Sequence, residues 1–408
     1  MRKSIVFFSF TLLITVMAMA QLPELTVGQH LEDYDFAVKY LEDNYAGFPN
    51  KVVDSTRADY ESMKARLRDQ VERGERSGWD AVAQYTSWYE DFHLRLCLNT
   101  ADEKGKIVGT NEKYWTRKKI HYSDLMEEYR PQPVACKVTD KTFLIRFPTC
   151  YGYVTMDWIN SSIDSFMNSG CENLVLDIRD NGGGSDSYFI PYWRLLYDHE
   201  GTMPGIEYRN TPEHRKMLMQ QLQEEGLPQD VIAGIQSVMP MIENVDYLPL
   251  GLLTPILGLA NNGQDVSMQD LFGVLGKLTQ GGGDYTIHTF SCDEVNHAVR
   301  KAGLIIDNGI ASSGEQMVRQ ISLTSDRTTV YGRDNTLGCL DFSNLSEVAM
   351  PNCQYNFTCP MSRTIGLPET GIDATGIAPD VRIPLPLPAK LTDNIDEWVI
   401  WVAAQLEK

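Results

Sequence analysis

The sequence predicts an α/β fold, because two apolar runs each end in a sharp turn and a helical segment precedes the first run. Residues 173–178 form a short apolar run that breaks into Asp180-Asn181-Gly182-Gly183-Gly184. Residues 304–306 form a second run, which leads through a similar turn to Ser312. Apolar residues recur at helical spacing over 158–169, so a helix feeds the first run. Strand–helix–strand units of this kind build α/β cores.

The first residues are typical of a cleaved secretory signal. Arg2 and Lys3 precede an apolar segment at 5–16, and the small residues Ala18-Met19-Ala20 follow it. The apolar segment is too short for a comfortable membrane span. We therefore expect a signal peptide over residues 1–20 that is cleaved after Ala20. The mature protein is then exported, periplasmic or extracellular, with no membrane span.

Residues 21–93 predict an N-terminal helical unit, because apolar side chains recur at helical spacing with charges between them. The character changes after His93, where short apolar and alternating runs bounded by turn residues predict strands. These strands are predicted at 94–98, 119–122, 134–138, 142–147 and 151–156. We assign residues 94–198 and 291–408 to the α/β core. Its later part contains a strand at 302–306, a helix at 315–321, a strand at 328–331 and a terminal helix at 393–406.

Residues 199–290 interrupt the core pattern between the glycine turn and Ser312. They are rich in Met, Leu, Gln and Glu, with helical spacing at 214–225 and 231–238. The pattern predicts a mostly helical insertion. Its position makes it a candidate lid over a site formed by the two turns, and a surface insertion without that role remains an open alternative.

Composition narrows the classes of partner and cofactor. The formal net charge of −19 argues against nucleic acid, whose phosphates need Lys and Arg. The eight cysteines are scattered, and no C-x-x-C or His-x-x-x-His pairing indicates a metal site. The sequence therefore does not predict a metal site. An exported chain permits disulfides, but their pairing is not set by the sequence; Cys353 and Cys359 are spaced to close a small loop.

Ser312 is a candidate nucleophile because it lies between an apolar strand and a predicted helix. The helix N-terminus and the N–H of Ser313 can stabilise negative charge beside its hydroxyl. The alternative is a structural role, since Ser312-Ser313-Gly314-Glu315 also matches a helix capping box. The two roles can share the same segment.

A serine nucleophile needs a base, and His93 is the candidate among seven histidines. It lies at the junction between the helical unit and the α/β core, and such junctions commonly border a cleft. The glycine turn at 182–184 can expose backbone N–H groups to an anion or a developing oxyanion.

Four motifs occur in one order along the mature chain: Asp91-Phe92-His93-Leu94, residues 176–184, Ser312-Ser313-Gly314-Glu315 and Gly376-Ile377-Ala378-Pro379-Asp380. Together they resemble the C-terminal processing (tail-specific) serine peptidase family, whose fold is a crotonase/ClpP-like superhelix of ββα units. The segment that carries a catalytic lysine in one branch of the family contains none here, at 335–340. The resemblance therefore implies the histidine-using, tricorn-like branch.

The resemblance assigns a role to each candidate residue. Ser312 is the nucleophile, His93 is the general base, and Asp373 is the acidic partner, with Glu369 as its rival. It places the oxyanion on the N–H groups of Gly183 and Ser313, with Gly182 and Gly184 as further donors, and it implies no metal or organic cofactor. Asp177 and Arg179 are expected to support the glycine turn through a local ion pair, and Asp380 is expected to be structural.

The function predicted is an exported serine peptidase that hydrolyses peptide bonds by acyl-enzyme chemistry, with a peptide or protein as its substrate. Two alternatives stay open on the same sequence. One is a non-catalytic ligand-binding protein on the same fold, and the other is a non-peptidase acyl hydrolase. The sequence leaves the oligomeric state open.

Overall fold

The structure is a computed structural model. The predicted signal peptide at 1–20, most of 225–285 and Cys353 lie outside the described residues. The described residues are 24–98, 111–120, 122–125, 128–129, 131–224, 232–233, 236–237, 240, 243–249, 286–352, 355–373, 375–388, 390–391 and 395–408.

Helices and strands alternate in the α/β core, as the sequence predicts. The described α-helices are α1 Val27–Asn44, α2 Phe48–Lys51, α3 Asp54–Glu72, α4 Gly78–Ser87, α5 Met156–Met167, α6 Ile190–Leu196, α7 Pro212–Glu224, α8 Ser313–Thr324 and α9 Glu397–Leu406. The described strands are β1 Leu96–Leu98, β2 Glu128–Tyr129, β3 Val134–Lys137, β4 Thr142–Arg146, β5 Asn173–Asp177, β6 Gly201–Pro204, β7 Ile206–Arg209, β8 Tyr247–Pro249, β9 Ile287–Phe290, β10 Lys301–Ile306, β11 Thr328–Gly332, β12 Phe342–Ala349, β13 Tyr355–Thr364, β14 Val381–Arg382 and β15 Lys390–Leu391.

The core is a six-stranded sheet in the order β14-β11-β10-β5-β4-β3. All its pairings are parallel except that of β3 with β4. The predicted strand–helix–strand unit is confirmed, since α5 connects β4 to its parallel neighbour β5. Strands β5 and β10 are also neighbours, with Ile305 opposite Asp177. Their carboxyl ends therefore meet at one edge of the sheet, where the glycine turn and the Ser312 turn follow.

Helices cover both faces of this sheet, because successive strand residues point to opposite sides. Leu174 and Leu176 pack in the cluster that contains α5, α6 and α8. Val175, between them, packs in the cluster of α9 on the other face. Gly303 allows α9 to approach closely, since a Cβ there would lie 2.5 Å from a methyl group of Val402.

The N-terminal helices pack on a second, antiparallel sheet instead of forming a separate core. This sheet has the order β1-β13-β7-β8, with β12 also paired to β13. Tyr34, Leu41 and Tyr60 from α1 and α3 share one buried cluster with Phe342 and Phe357 from β12 and β13. The N-terminal unit is thus held by strands that follow Ser312 in the chain.

The described part of 199–290 has helical residues within both predicted helical stretches, but it also contains strands that the sequence did not predict. It contains helix α7 but also β6, β7, β8 and β9. Strand β7 pairs with β13 of the antiparallel sheet, and β6 pairs with β9. Strands of three or four residues are too short to register as a period-two pattern. They are set by the hydrogen bonds of neighbouring strands, which local sequence does not reveal.

Two other predicted strands are absent from the described residues. Residues 118–120 have no regular structure, and a 3₁₀ turn follows at Tyr122–Asp124. Residues 151–154 form turns around Gly152, whose φ of +74° suits glycine, and α5 begins at Met156. The aromatic residues that suggested a strand there, Tyr151 and Tyr153, are exposed.

None of the described helices has both the length and the apolar character needed to cross a bilayer. Seven of the eight cysteines are described, and all seven are free thiols.

Candidate active site

The two turns that follow β5 and β10 are interlocked by backbone hydrogen bonds. Asp307 Oδ1 accepts hydrogen bonds from the N–H of Asp180 at 3.1 Å and of Gly309 at 2.9 Å. The carbonyl of Asn181 accepts the N–H of Ala311 at 3.2 Å. One carboxylate thus fixes the first residues of both turns and sets their relative position.

Gly183 touches the backbone around Ser312. Its φ is +95°, and a Cβ at this position would lie 2.8 Å from Ser312 Cβ and 2.8 Å from the N of Ser313. Any side chain would therefore both clash and strain the backbone. The structure brings the predicted glycine turn against the predicted nucleophile.

Ser312 adopts a backbone conformation that is rare for a residue with a side chain. Its φ is 53° and its ψ is −125°, a combination that persists only where surrounding contacts impose it. Ser312 precedes α8, but its side chain makes no capping hydrogen bond. The capping-box alternative is therefore not realised. The hydroxyl has no hydrogen-bonding partner among the described residues and is available for chemistry.

The predicted oxyanion donors are not equivalent. The N–H of Gly183 donates to Asn181 Oδ1 at 3.0 Å, so it is already engaged within the turn. The N–H groups of Gly182, Gly184 and Ser313 have no acceptor in the part of the chain that the structure describes. Of these groups, the N–H of Ser313 directly follows Ser312 and its N lies against Gly183, so it is the free donor best placed to bind an anion beside Ser312.

His93 is buried and its ring is held by a backbone carbonyl. Nδ1 lies 2.5 Å from the carbonyl oxygen of Phe342, at the start of β12. A neutral ring that donates from Nδ1 carries its lone pair on Nε2. Burial lowers the pKa of His93, while the nearby Asp91 carboxylate opposes that shift. The ring is therefore neutral at neutral pH and can accept a proton.

Cys339 lies between His93 and Ser312. Its carbonyl accepts the N–H of Ser312 at 3.1 Å. Its Sγ lies within 4.8 Å of a ring nitrogen of His93 and of a carboxylate oxygen of Asp91. Phe92 packs with Ala311 and Cys339 in one small buried cluster. The structure thus brings the predicted base and nucleophile to the same site.

The cluster of Asp91, His93 and Cys339 has three potential metal ligands, but its chemistry is poor for a metal. Burial, reinforced by the nearby carboxylates of Asp373 and Asp91, raises the pKa of the Cys339 thiol well above its usual value. Metal binding needs the thiolate. Both oxygens of Asp91 also already accept hydrogen bonds, from the N–H of His93 at 2.8 Å and the hydroxyl of Tyr45 at 2.7 Å.

The two rival acids lie in different surroundings. Asp373 is buried, and its Oδ1 accepts the N–H groups of Leu340 at 2.9 Å and Asp341 at 2.8 Å. Its Oδ2 is buried without a partner among the described residues. Burial, and then the charges of Asp91 and Asp341, raise the pKa of Asp373 well above its usual value. Glu369 is exposed.

A family model described as Peptidase family S41 matches residues 141–383, which include both turns and Asp373. The chain belongs to peptidase family S41. This confirms the family that the four motifs predict. The match therefore shows that the chain belongs to a family of serine peptidases. The fold of the chain is mixed α/β.

Solved structures share the fold of this S41 peptidase at low sequence identity. Mature CPAF matches with a TM-score of 0.56 and 14% identity, covering 94% of this chain and 97% of that chain. Mature CPAF complexed with lactacystin has a TM-score of 0.53 and 12% identity, covering 94% and 98%. A candidate peptidase from Parabacteroides merdae has a TM-score of 0.51 and 14% identity, covering 87% and 90%. No curated protein sequence matches the chain.

Glu315 supports the site in a way that the motif alone did not show. It is fully buried and accepts hydrogen bonds from Thr336 Oγ1 at 2.5 Å and from the N–H groups of Gly338 and Cys339 at 2.6 Å each. It therefore holds the loop whose carbonyl binds the N–H of Ser312. Burial raises the pKa of Glu315 to about 7, although these hydrogen bonds oppose the shift.

The predicted ion pair of Asp177 and Arg179 is confirmed and belongs to a larger buried network. Arg179 binds Asp177 through two nitrogens, and Arg146 binds Asp177 Oδ2 at 2.7 Å. Both arginines also contact Asp396, which caps α9. Burial alone would raise the pKa of Asp177, but Arg179 and Arg146 hold it well below its usual value.

Three supporting residues were not identified from the sequence as parts of the site. Tyr45 and Cys339 carry no motif signal, because their roles arise from contacts between distant segments. Arg146 lies in a run of buried strand residues, where a charged residue is an anomaly and could have been noticed. Asp380 has the structural role expected of it, since it accepts the N–H of Val330 at 2.8 Å.

Replacing Asp373 with asparagine is expected to stabilise the S41 peptidase at neutral pH. A carboxyl whose pKa is raised by folding favours the folded state at pH below its unfolded pKa, and this contribution is lost as pH rises through the folded pKa. The amide keeps an acceptor for Leu340 and Asp341 and carries no charge beside Asp91. Thermal unfolding should show a midpoint higher by about 2–4 °C at pH 7, with a smaller difference at pH 4. A lower midpoint at pH 7 would contradict this account.

Proposed function

We propose that this S41 protein is an exported serine peptidase that cleaves peptide bonds through an acyl-enzyme on Ser312. The contact between Gly183 and Ser312 supports the proposal most directly. In this contact Gly183 lies against Ser312 and the N of Ser313, and among the described residues neither the Ser312 hydroxyl nor the N–H of Ser313 has a hydrogen-bonding partner. The signal-like residues 1–20 support export to the periplasm or beyond, where the partner is a peptide or protein substrate.

The chemistry follows the roles that the motifs assign. His93 Nε2 takes the proton of Ser312 as the oxygen attacks the substrate carbonyl. The free N–H groups beside Ser312 hold the oxyanion that forms. When the intermediate collapses, the leaving amine receives the proton from His93. Water then attacks the acyl-enzyme, with His93 again acting as base.

The carboxylates act on His93 at different ranges. Asp91 is the nearer, since it binds the N–H of His93 and its charge favours the imidazolium. Asp373 remains the proposed acidic partner over Glu369, because it is buried beside Asp91. It has no hydrogen bond to His93, so its effect on the base is exerted through the charge and position of Asp91.

The proposal extends to the type of enzyme within the family. The missing lysine at 335–340 and the orientation of His93 support the histidine-using branch of the C-terminal processing peptidases, with their superhelical ββα core. A non-catalytic ligand-binding protein on this fold would need neither a serine hydroxyl without a partner among the described residues nor a neutral histidine linked to the same site through Cys339. Those two groups therefore favour the peptidase over that alternative.

Labelling with a fluorophosphonate tests the nucleophile and the base. The mature protein should form one covalent adduct, which mass spectrometry of its peptides locates on Ser312. The variant Ser312→Ala should not label, and His93→Ala should label more slowly by about 100-fold or more. Ser313→Ala is the matched control, because it removes the neighbouring hydroxyl and keeps the backbone N–H.

The labelling result can refute the assignment in two ways. An adduct on Ser313 would show that Ser313, and not Ser312, is the nucleophile. If the folded protein gave no adduct and hydrolysed no member of a peptide library, the peptidase proposal would fail, and the ligand-binding alternative would stand.

The pH dependence of kcat/KM reports the state of His93. The ring must be neutral to accept the proton, and burial lowers its pKa below the usual 6.5. Activity should therefore be nearly full at pH 7 and fall with a midpoint below 6.5. Asp91→Asn should move the midpoint lower still, because the carboxylate that favours the imidazolium is lost. Glu315 also titrates near neutrality, so the profile is measured again in the variant Glu315→Gln. A midpoint above pH 7 in both proteins would contradict this role of His93.

Two adjacent glycines provide a matched pair for testing the glycine turn. Gly183→Ala should lower kcat by about 100-fold or more, because the added Cβ displaces Ser312 and Ser313. Gly182→Ala adds a Cβ that meets no atom within 4 Å and keeps its N–H, so its loss should stay within about tenfold. Circular dichroism checks that both variants fold. Equal losses would show that the close contact at Gly183 does not position the nucleophile.

A further inference from the structure

A cavity of about 330 Å³ opens beside the proposed nucleophile and is not used by the chemistry described above. It lies between α6, β9 and α8, so one wall belongs to the segment inserted between the two turns. The residues that define its character are Phe189, Trp193, Phe290, Gln316 and Gln320.

The cavity is one helical turn from Ser312. Gln316 lines it, and the N–H of Gln316 donates to the carbonyl of Ser312 at 2.9 Å. On the opposite side Asp186 lines it, two residues after Gly184, whose carbonyl accepts the hydroxyl of Ser313 at 2.8 Å. The cavity therefore adjoins both segments that supply the free N–H groups.

The position of the cavity determines which side of the scissile bond lies against it. In acyl transfer the carbonyl of the acyl residue points at the oxyanion donors, while the leaving amine faces the base that protonates it. The cavity lies beside the donors at Gly184 and Ser313. His93 approaches from Cys339 and Phe342, neither of which lines the cavity. A side chain in the cavity thus belongs to the residue whose carbonyl is attacked.

Aromatic and polar residues both line the cavity, and the polar ones include His288 and Ser291. Phe189, Trp193 and Phe290 are almost fully buried, and the indole N–H of Trp193 is already bound to Thr324 Oγ1 at 2.9 Å. Gln320 is only 6% exposed and contributes to the lining of the cavity. Two charged residues also line the cavity: Arg194 is exposed, and Asp186, exposed as a whole residue, has a carboxyl whose pKa is raised by burial and which hydrogen-bonds Ser313. A ligand group inside therefore meets aromatic rings together with the Gln320 amide and the His288 ring.

We propose that this cavity selects substrates with a large side chain that has an apolar body and a neutral hydrogen-bonding end, best matched by tyrosine, at the residue on the acyl side of the cleaved bond. The ring of the tyrosine packs between the aromatic walls, and its hydroxyl pairs with Gln320. This inference rests on the proposed peptidase function and adds the substrate class to it.

Peptidyl coumarin amides that differ only in the last residue test the proposal. The kcat/KM for the tyrosine substrate should exceed that for the alanine substrate by about 100-fold. It should exceed that for the phenylalanine substrate by about 3- to 10-fold, because tyrosine makes one hydrogen bond that phenylalanine lacks. Gln320→Met keeps the volume and removes the amide, so the tyrosine-to-phenylalanine ratio should fall to about 1.

Filling the cavity provides a second measurement. Thr289 lines it from β9, and Thr289→Trp should lower the tyrosine-to-alanine ratio by about tenfold or more. Ile287→Trp is the matched control, because Ile287 is on the same strand, 44% exposed and outside the cavity lining. It should leave the ratio unchanged.

The outcomes separate this inference from the proposed function. If Ser312 labels and peptides are cleaved but neither Gln320→Met nor Thr289→Trp changes the ratios, the cavity does not select the acyl-side residue. Preference for a charged residue would also overturn the inference. If the folded protein neither labels nor cleaves, the peptidase function itself is refuted, and the substrate assignment with it.

Discussion

The turn at Gly183 approaches the turn at Ser312 so closely that no side chain fits between them, and the geometry of the site depends on this contact. Parallel pairing of β5 and β10 delivers both turns to one sheet edge. Asp307 then binds an N–H from each turn, and Asn181 binds an N–H of each as well. The strained backbone of Ser312 persists because these contacts fix the residues on both sides of it.

A buried charge network holds the base of the glycine turn. Asp177 ends β5 beneath the turn and is bound by Arg146 from β4 and Arg179 from the turn itself. Asp396 extends the network to α9 on the far face of the sheet. Removing one member would leave an unpaired charge in the core, a change that commonly costs about 3–5 kcal/mol. The network therefore links the stability of the sheet to the position of the glycine turn that is proposed to bind the oxyanion.

The parts of the fold that could be predicted from sequence are those with local signals. Strand β5, helix α5 and the turn at Gly183 follow from an apolar run, helical spacing and a glycine cluster. The strands within 199–290 could not be predicted, because β7 exists through its pairing with β13, more than a hundred residues later. The site divides in the same way. Ser312 and His93 lie in motifs, whereas Tyr45, Cys339 and the carbonyl of Phe342 reach the site only through folding.

The support of His93 by Phe342 has a consequence for the order in which the site is assembled. In a growing chain His93 is made early, Ser312 late, and the carbonyl that orients the His93 ring later still. The loop that receives the N–H of Ser312 also follows the serine in the chain. A partly synthesised or partly translocated chain therefore holds a histidine with no orienting partner. Under the proposed function, hydrolytic competence appears only after β12 has docked on the N-terminal helices, so the act of folding itself delays the onset of proteolysis.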